Sequence, residues 1–133
     1  MKGILLVSHG GLAKGMKESI EMITGYQENL RYVGIEPNEG GEQFEKKMIK
    51  EEEALGEVDK ILIFCDLLGG TPCNIAMKNY YQDEKYIVIS GMNSPMVLSA
   101  ILNEEISKNN IISDAITGII DLKEMSLDDC EEE

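Results

Sequence analysis

"ILLVSHGG", residues 4 to 11, decides the fold. Four consecutive apolar residues with no polar alternation are the mark of a strand buried on both faces, as in a parallel sheet covered by helices. The run stops at Ser8 and meets His9, the only histidine in the chain, set against Gly10 and Gly11. Reading outward, the strand "GILLV" (3 to 7) leads into "GLAKGMKESIEMITG", where Leu12, Met16, Ile20 and Ile23 fall on one helical face and Gly25 supplies a C-cap. "LRYVGI" (30 to 35) is a second strand. Beyond the loop "EPNEGG", Phe44, Met48 and Leu55 mark the apolar stripe of a helix ending at Gly56. "KILIFC" (60 to 65) is a third strand, followed by a helix with Thr71 as N-cap and Pro72 at its first position. "YIVIS" (86 to 90) is a fourth, and Ser94-Pro95 repeats the start signal for a helix carrying Leu98, Ile101, Leu102 and Ile106. Beyond Asn110, "IISDAITGIIDLKEM" has no clean period of two or 3.6 and reads as a final strand or a short helix. Strands alternating with helices specify an α/β fold: an open, mostly parallel sheet with helices on both faces.

The chain has 133 residues, the size of one domain that can bury its own core. With 25 acidic against 12 basic residues it carries a formal charge of −13, and Arg31 is its one arginine. That balance argues against nucleic acid and against anionic membrane surfaces, both of which need a basic face. No apolar stretch approaches the roughly 20 residues that span a bilayer, and the first residues read as a strand and not a signal peptide, so a cytoplasmic protein is expected. Cys65, Cys73 and Cys130 show no CxxC spacing and read as reduced thiols, with no metal site. The terminal "DDCEEE" is a solvated acidic tail. Neither GxGxxG nor GxxxxGK[ST] occurs, and no cofactor is expected.

In such sheets ligands bind beyond the carboxyl ends of the strands, where the strand order reverses. If the order is 2-1-3-4, His9 beyond strand one faces Asp66 beyond strand three. Asp66 opens "DLLGGTP", a glycine loop running into a helix N-terminus. A carboxylate that accepts from one ring N–H fixes the tautomer and bares the other nitrogen, an arrangement suited to imidazole attack on phosphorus. Backbone N–H groups of Gly69, Gly70 and Thr71, with the Thr71 hydroxyl, would hold the phosphoryl oxygens. No arginine clamp or metal cluster equips the site for ATP with Mg²⁺, whereas a phosphoprotein donor needs neither. The plain alternatives are a surface histidine, and glycines at 10, 69 and 70 that only make tight turns.

Three stretches, "SHGGLA" (8 to 13), "DLLGGTPCN" (66 to 74) and "GMNSPM" (91 to 96), resemble the enzyme IIA component of the mannose family of the bacterial sugar phosphotransferase system, PTS. The resemblance runs from Met1 to about Leu122, leaving 123 to 133 as an acidic tail. It implies that HPr phosphorylates His9, that a IIB component accepts the group, and that Asp66 orients the imidazole. It also implies that Gly10, Leu68, Gly69, Gly70 and Thr71 surround the phosphoryl group. Members of the family are homodimers in which a C-terminal strand crosses to the partner, and Ile111, Ile112, Ile116, Ile119 and Ile120 are too many apolar residues for a free tail. They serve a membrane permease complex without being embedded in it. Many relatives carry an aromatic residue where this chain has Cys73, and some continue into a fused IIB domain, so IIB is expected as a separate chain. Two other readings are the phosphotransfer subunit of dihydroxyacetone kinase and a noncatalytic regulatory IIA-like domain. The "LLGGTP" loop resembles the sugar-transport branch more closely, and the presence of both His9 and Asp66 speaks against loss of activity.

Overall fold

A computed structural model describes residues 1 to 130; the last three residues of the acidic tail lie outside the described residues. In chain order the elements are β1 (Lys2–His9), α1 (Leu12–Thr24), β2 (Leu30–Ile35), α2 (Gly41–Glu53), β3 (Lys60–Cys65), α3 (Thr71–Tyr80), β4 (Tyr86–Ser90), α4 (Ser94–Leu102) and α5 (Lys108–Thr117), followed by short 3-10 turns at Leu122–Glu124 and Leu127–Cys130. The strands form one four-stranded sheet in the order β2-β1-β3-β4, every neighbouring pair parallel. β1 and β3 are therefore central, in a register that pairs Val7 with Cys65.

Successive residues of a strand point to opposite faces, so each central strand feeds two cores. Ile4, Leu6, Leu62 and Phe64 join Ala13 and Ile20 of α1, Met96, Val97 and Ala100 of α4, and Ile111 and Ala115 of α5 on one face. Leu5, Val7, Ile61, Ile63 and Cys65 join Phe44 and Met48 of α2 and Cys73, Ala76 and Tyr80 of α3 on the other. This explains the lack of polar alternation in "ILLV" and "ILIF". Burying one such side chain contributes about 1.5–3 kcal/mol.

Several elements differ in detail from the sequence reading. β1 extends to His9, so the histidine is the last residue of the strand. The stripe of α1 is rotated: Ala13 and Ile20 are buried, whereas Leu12 and Ile23 are exposed. The cause is Ser8, whose buried Oγ accepts the Ala13 N–H at 2.8 Å and fixes the helix with Ala13 against the sheet. Leu12, one residue earlier and so rotated by about 100° on the helix, turns to solvent. The caps of α3 and α4 are Gly70 and Asn93, each one residue before the expected Thr71 and Ser94, and Asn93 Oδ1 accepts the Met96 N–H at 2.9 Å. α4 buries Met96, Val97, Ser99 and Ala100 while Leu102 is exposed, because α5 packs along it and gives it a second covered side.

The C-terminal strand implied by the family resemblance is absent among the described residues. Lys108–Thr117 is α5, capped by the Ser107 side chain, which accepts the Asn110 N–H. Ile111 and Ala115 pack inward and Ile112 and Ile116 outward, so the apolar positions lie on two faces and blur the helical period. Ser99 Oγ donates to Asp114 Oδ2 at 2.5 Å and Asn93 Nδ2 donates to the Ala115 carbonyl at 2.9 Å, which bolt α5 to α4. Cys65 and Cys73 are buried free thiols, and burial pushes the Cys65 thiol far above its usual range. Among the described residues no helix is long and apolar enough to cross a membrane.

Candidate active site

The two central strands end side by side, and the residues at their carboxyl ends meet. The His9 ring donates from Nδ1 to Asp66 Oδ2 at 2.8 Å, and the His9 backbone N–H donates to the same oxygen at 2.9 Å. Asp66 is itself held by its backbone N–H, which donates to the Val7 carbonyl at 3.2 Å. One carboxylate oxygen thus fixes both the strand end and the ring. Because an ionised carboxylate only accepts, the neutral ring carries its proton on Nδ1 and presents the lone pair of Nε2. The Asp66 side chain is 8% exposed and that of His9 49%, so the anchor is buried and the imidazole is reachable. Asp66 Oδ1 is buried without a hydrogen-bond partner.

The loop after Asp66 lies against the other side of the ring. A Cβ on Gly70 would stand 2.6 Å from His9 Cε1 and 3.3 Å from Nε2, so only glycine lets the backbone come this close. Gly69, at φ +84°, turns the chain into α3. The Gly70 N–H is taken up by the Leu67 carbonyl at 3.2 Å, which removes one of the three expected backbone donors. The amides of Leu68, Gly69 and Thr71 have no acceptor among the described residues. Leu67 and Leu68 are both exposed beside them. Gly10 contributes a turn, with φ +52°, and its N–H is engaged by the Ile35 carbonyl at 2.8 Å.

Three further residues shape the site. Asn74 Nδ2 donates to the Gly69 carbonyl at 3.2 Å and braces the loop from within α3. It closes the stretch "DLLGGTPCN", where no residue type or spacing marks it as a brace. Ser8 orients α1 through Ala13, and the sequence showed it only as the residue that interrupts an apolar run. Gly34 of β2 carries the closest approach in the chain: a Cβ there would lie 2.0 Å from the Gly10 carbonyl oxygen. A lone glycine inside a strand pattern marks such a contact.

Residues 3–116 match the model of a protein family described as the PTS system fructose IIA component. The sorbose-specific EIIA component of Lacticaseibacillus casei is 31% identical over 121 residues, covering 91% of this chain and 85% of that protein. The mannose-specific EIIAB component of Escherichia coli K12 is 30% identical over 99 residues, 74% of this chain but 31% of that longer protein. Among solved structures, the PTS IIA protein associated with the fucose utilization operon of Streptococcus pneumoniae superimposes with a TM-score of 0.86 at 27% identity, covering 92% of this chain and 93% of the other. The mannose/sorbose-specific IIA subunit from Enterococcus faecalis gives 0.80 at 27% identity, over 95% of this chain and 100% of that one.

Proposed function

The chain belongs to the PTS IIA family of the fructose and mannose type, and on that premise we propose that His9 Nε2 accepts a phosphoryl group from phospho-HPr and passes it to a IIB component. The observation that carries this reading is the 2.8 Å bond from His9 Nδ1 to Asp66, which leaves Nε2 as the free nucleophile beside Gly70. In the forward step the Nε2–P bond forms as the donor's N–P bond breaks. The ring keeps its Nδ1 proton and becomes cationic, and Asp66 offsets that charge. The amides of Leu68, Gly69 and Thr71 take the phosphoryl oxygens. Transfer to IIB reverses the same geometry. The relatives are sugar-specific components, which favours sugar uptake over the dihydroxyacetone kinase reading. A regulatory role without chemistry would not require an intact His9–Asp66 pair.

In this reading residues 1 to 122 are the IIA unit, working in the cytoplasm beside a membrane permease complex, and 123 to 133 form an appended acidic tail. The unit pairs with a second copy along β4, the edge strand opposite β2. There a cleft of about 490 Å³ is lined by Val88, Ile89, Met96, Ile112, Ile116 and Ile119.

The test uses enzyme I, HPr and phosphoenolpyruvate. The chain is expected to gain one acid-labile, alkali-stable phosphoryl group and to lose it to a cognate IIB, and His9→Ala is expected to abolish both steps. Labelling that persists in His9→Ala, or a stable serine or threonine phosphate, would falsify the mechanism.

A further inference from the structure

On the far side of β1 from Asp66, a second concave feature reaches the same turn. A cleft of about 430 Å³ wraps round the edge strand β2, its lining including Gly10, Lys14 of α1, Arg31 of β2, Glu36, and Lys47 and Lys50 of α2. Four of the chain's 12 basic residues converge here, on a molecule of net charge −13.

Two of the four already have partners. Arg31 Nε donates to Glu51 Oε1 at 2.8 Å, and Lys47 Nζ donates to Glu39 Oε1 at 2.8 Å and to the Gly34 carbonyl at 2.9 Å. These two fence the open edge of β2, a common guard against strand-to-strand association. Lys14 and Lys50 are different: both are exposed and neither side chain has a hydrogen bond or ion pair among the described residues. They stand on helices packed against opposite faces of the sheet, so they form two walls of one cleft. Glu36 is the lining carboxylate whose side chain has no partner; it suits hydroxyl groups and opposes a second phosphate.

We infer that this cleft binds a small phosphate monoester of about hexose size, with Lys14 and Lys50 as its cationic contacts, and that occupancy acts on His9 through the Gly10–Gly11 turn. Lysine ammonium groups are common phosphate contacts, acting as point charges. A volume of about 430 Å³ falls within the roughly 300–1,000 Å³ of small-molecule sites. The coupling is steric. The Gly10 carbonyl lies so close to Gly34 that a Cβ there would be 2.0 Å away, and the Gly10 N–H is bonded to Ile35, so the floor of the cleft is the backbone that follows His9.

The proposal is independent of whether His9 is phosphorylated, and its test reads binding alone. In NMR titrations, at least one of glucose, fructose or mannose 6-phosphate is expected to give saturable shifts of the Gly10, Gly11 and Gly34 amides. The His9 ring is expected to shift with the same affinity. The free sugars are expected to do nothing and inorganic phosphate to bind more weakly. Lys14→Gln combined with Lys50→Gln is expected to weaken binding at least about tenfold, equivalent to about 1.4 kcal/mol. Three results would each overturn the inference: shifts reproduced by sodium chloride at equal ionic strength, unchanged affinity in the double variant, or inorganic phosphate binding as tightly as every sugar phosphate.

Discussion

The centre of the sheet and its β4 edge are built from the same residue types and treat them differently. Along β1 and β3 every apolar side chain from Ile4 to Val7 and from Ile61 to Cys65 is buried, and the polar residues that follow are pinned to each other. Along β4, α5 and the segment after it, Ile87 and Val88 are half-covered, and Ile112, Ile116, Ile119 and Ile120 face outward, Ile119 at 77% exposure. The centre has completed its packing within one chain, whereas the edge presents surface suited to another. Apolar residues in the two regions should therefore report on different equilibria, the first on folding and the second on association.

The strongest way to break this contrast is at the centre. Phe64, fully buried in β3, is expected to cost about 3–5 kcal/mol when changed to alanine, read from urea unfolding. A loss below about 1 kcal/mol would show that the centre is not where stability resides. Asp66→Asn tests chemistry in the same region, because an amide can hold the ring in the wrong tautomer. Phosphorylation by phospho-HPr should slow on the order of 10²-fold or more while the unfolding midpoint stays near that of the parent. An unchanged rate removes Asp66 from the mechanism. Gly34→Ala sets a methyl group against the Gly10 carbonyl, backbone against backbone, and is expected to cost about 1–3 kcal/mol and to displace the His9 ring resonances. The smallest stability effect belongs to the edge. Ile116→Ser with Ile119→Ser should change unfolding of the dilute monomer by less than about 0.5 kcal/mol each, yet shift light scattering from dimer toward monomer at micromolar concentration. A parent chain that is already monomeric there would dissolve the comparison.

The same contrast governs what could be read from the residues alone. At the centre, two-sided burial leaves a signal that survives in one dimension: uninterrupted apolar runs placed the strands, and histidine and aspartate just beyond them became a facing pair once the order 2-1-3-4 was supposed. The helix surfaces were less legible. The orientation of α1 depends on a hydroxyl at Ser8 bonding five residues ahead, which no hydrophobic period encodes, so Leu12 and Ile23 read as core and are exposed. Caps at Gly70 and Asn93 were misplaced by one residue because Thr71 and Ser94 are equally good capping types. Which amides stay free was not legible at all, since the Leu67 carbonyl takes the Gly70 N–H only once the turn has formed. At the edge, α5 buries Ile111 against α4 and turns Ile112 outward, and residues serving two surfaces show no single period.

The oriented histidine is also a late product of synthesis. His9 and Asp66 lie 57 residues apart in the chain, and the strands they end are parallel neighbours that cannot pair until β2 and two crossover helices lie between them. At about 5–20 residues per second, the aspartate leaves the ribosome roughly 3 to 11 seconds after the histidine. A chain that has not yet closed its central strand pair therefore displays an imidazole whose tautomer no carboxylate selects. The orientation of the ring is in this sense a report on long-range folding, since the two halves of one hydrogen bond stand at the ends of parallel strands joined only through a crossover.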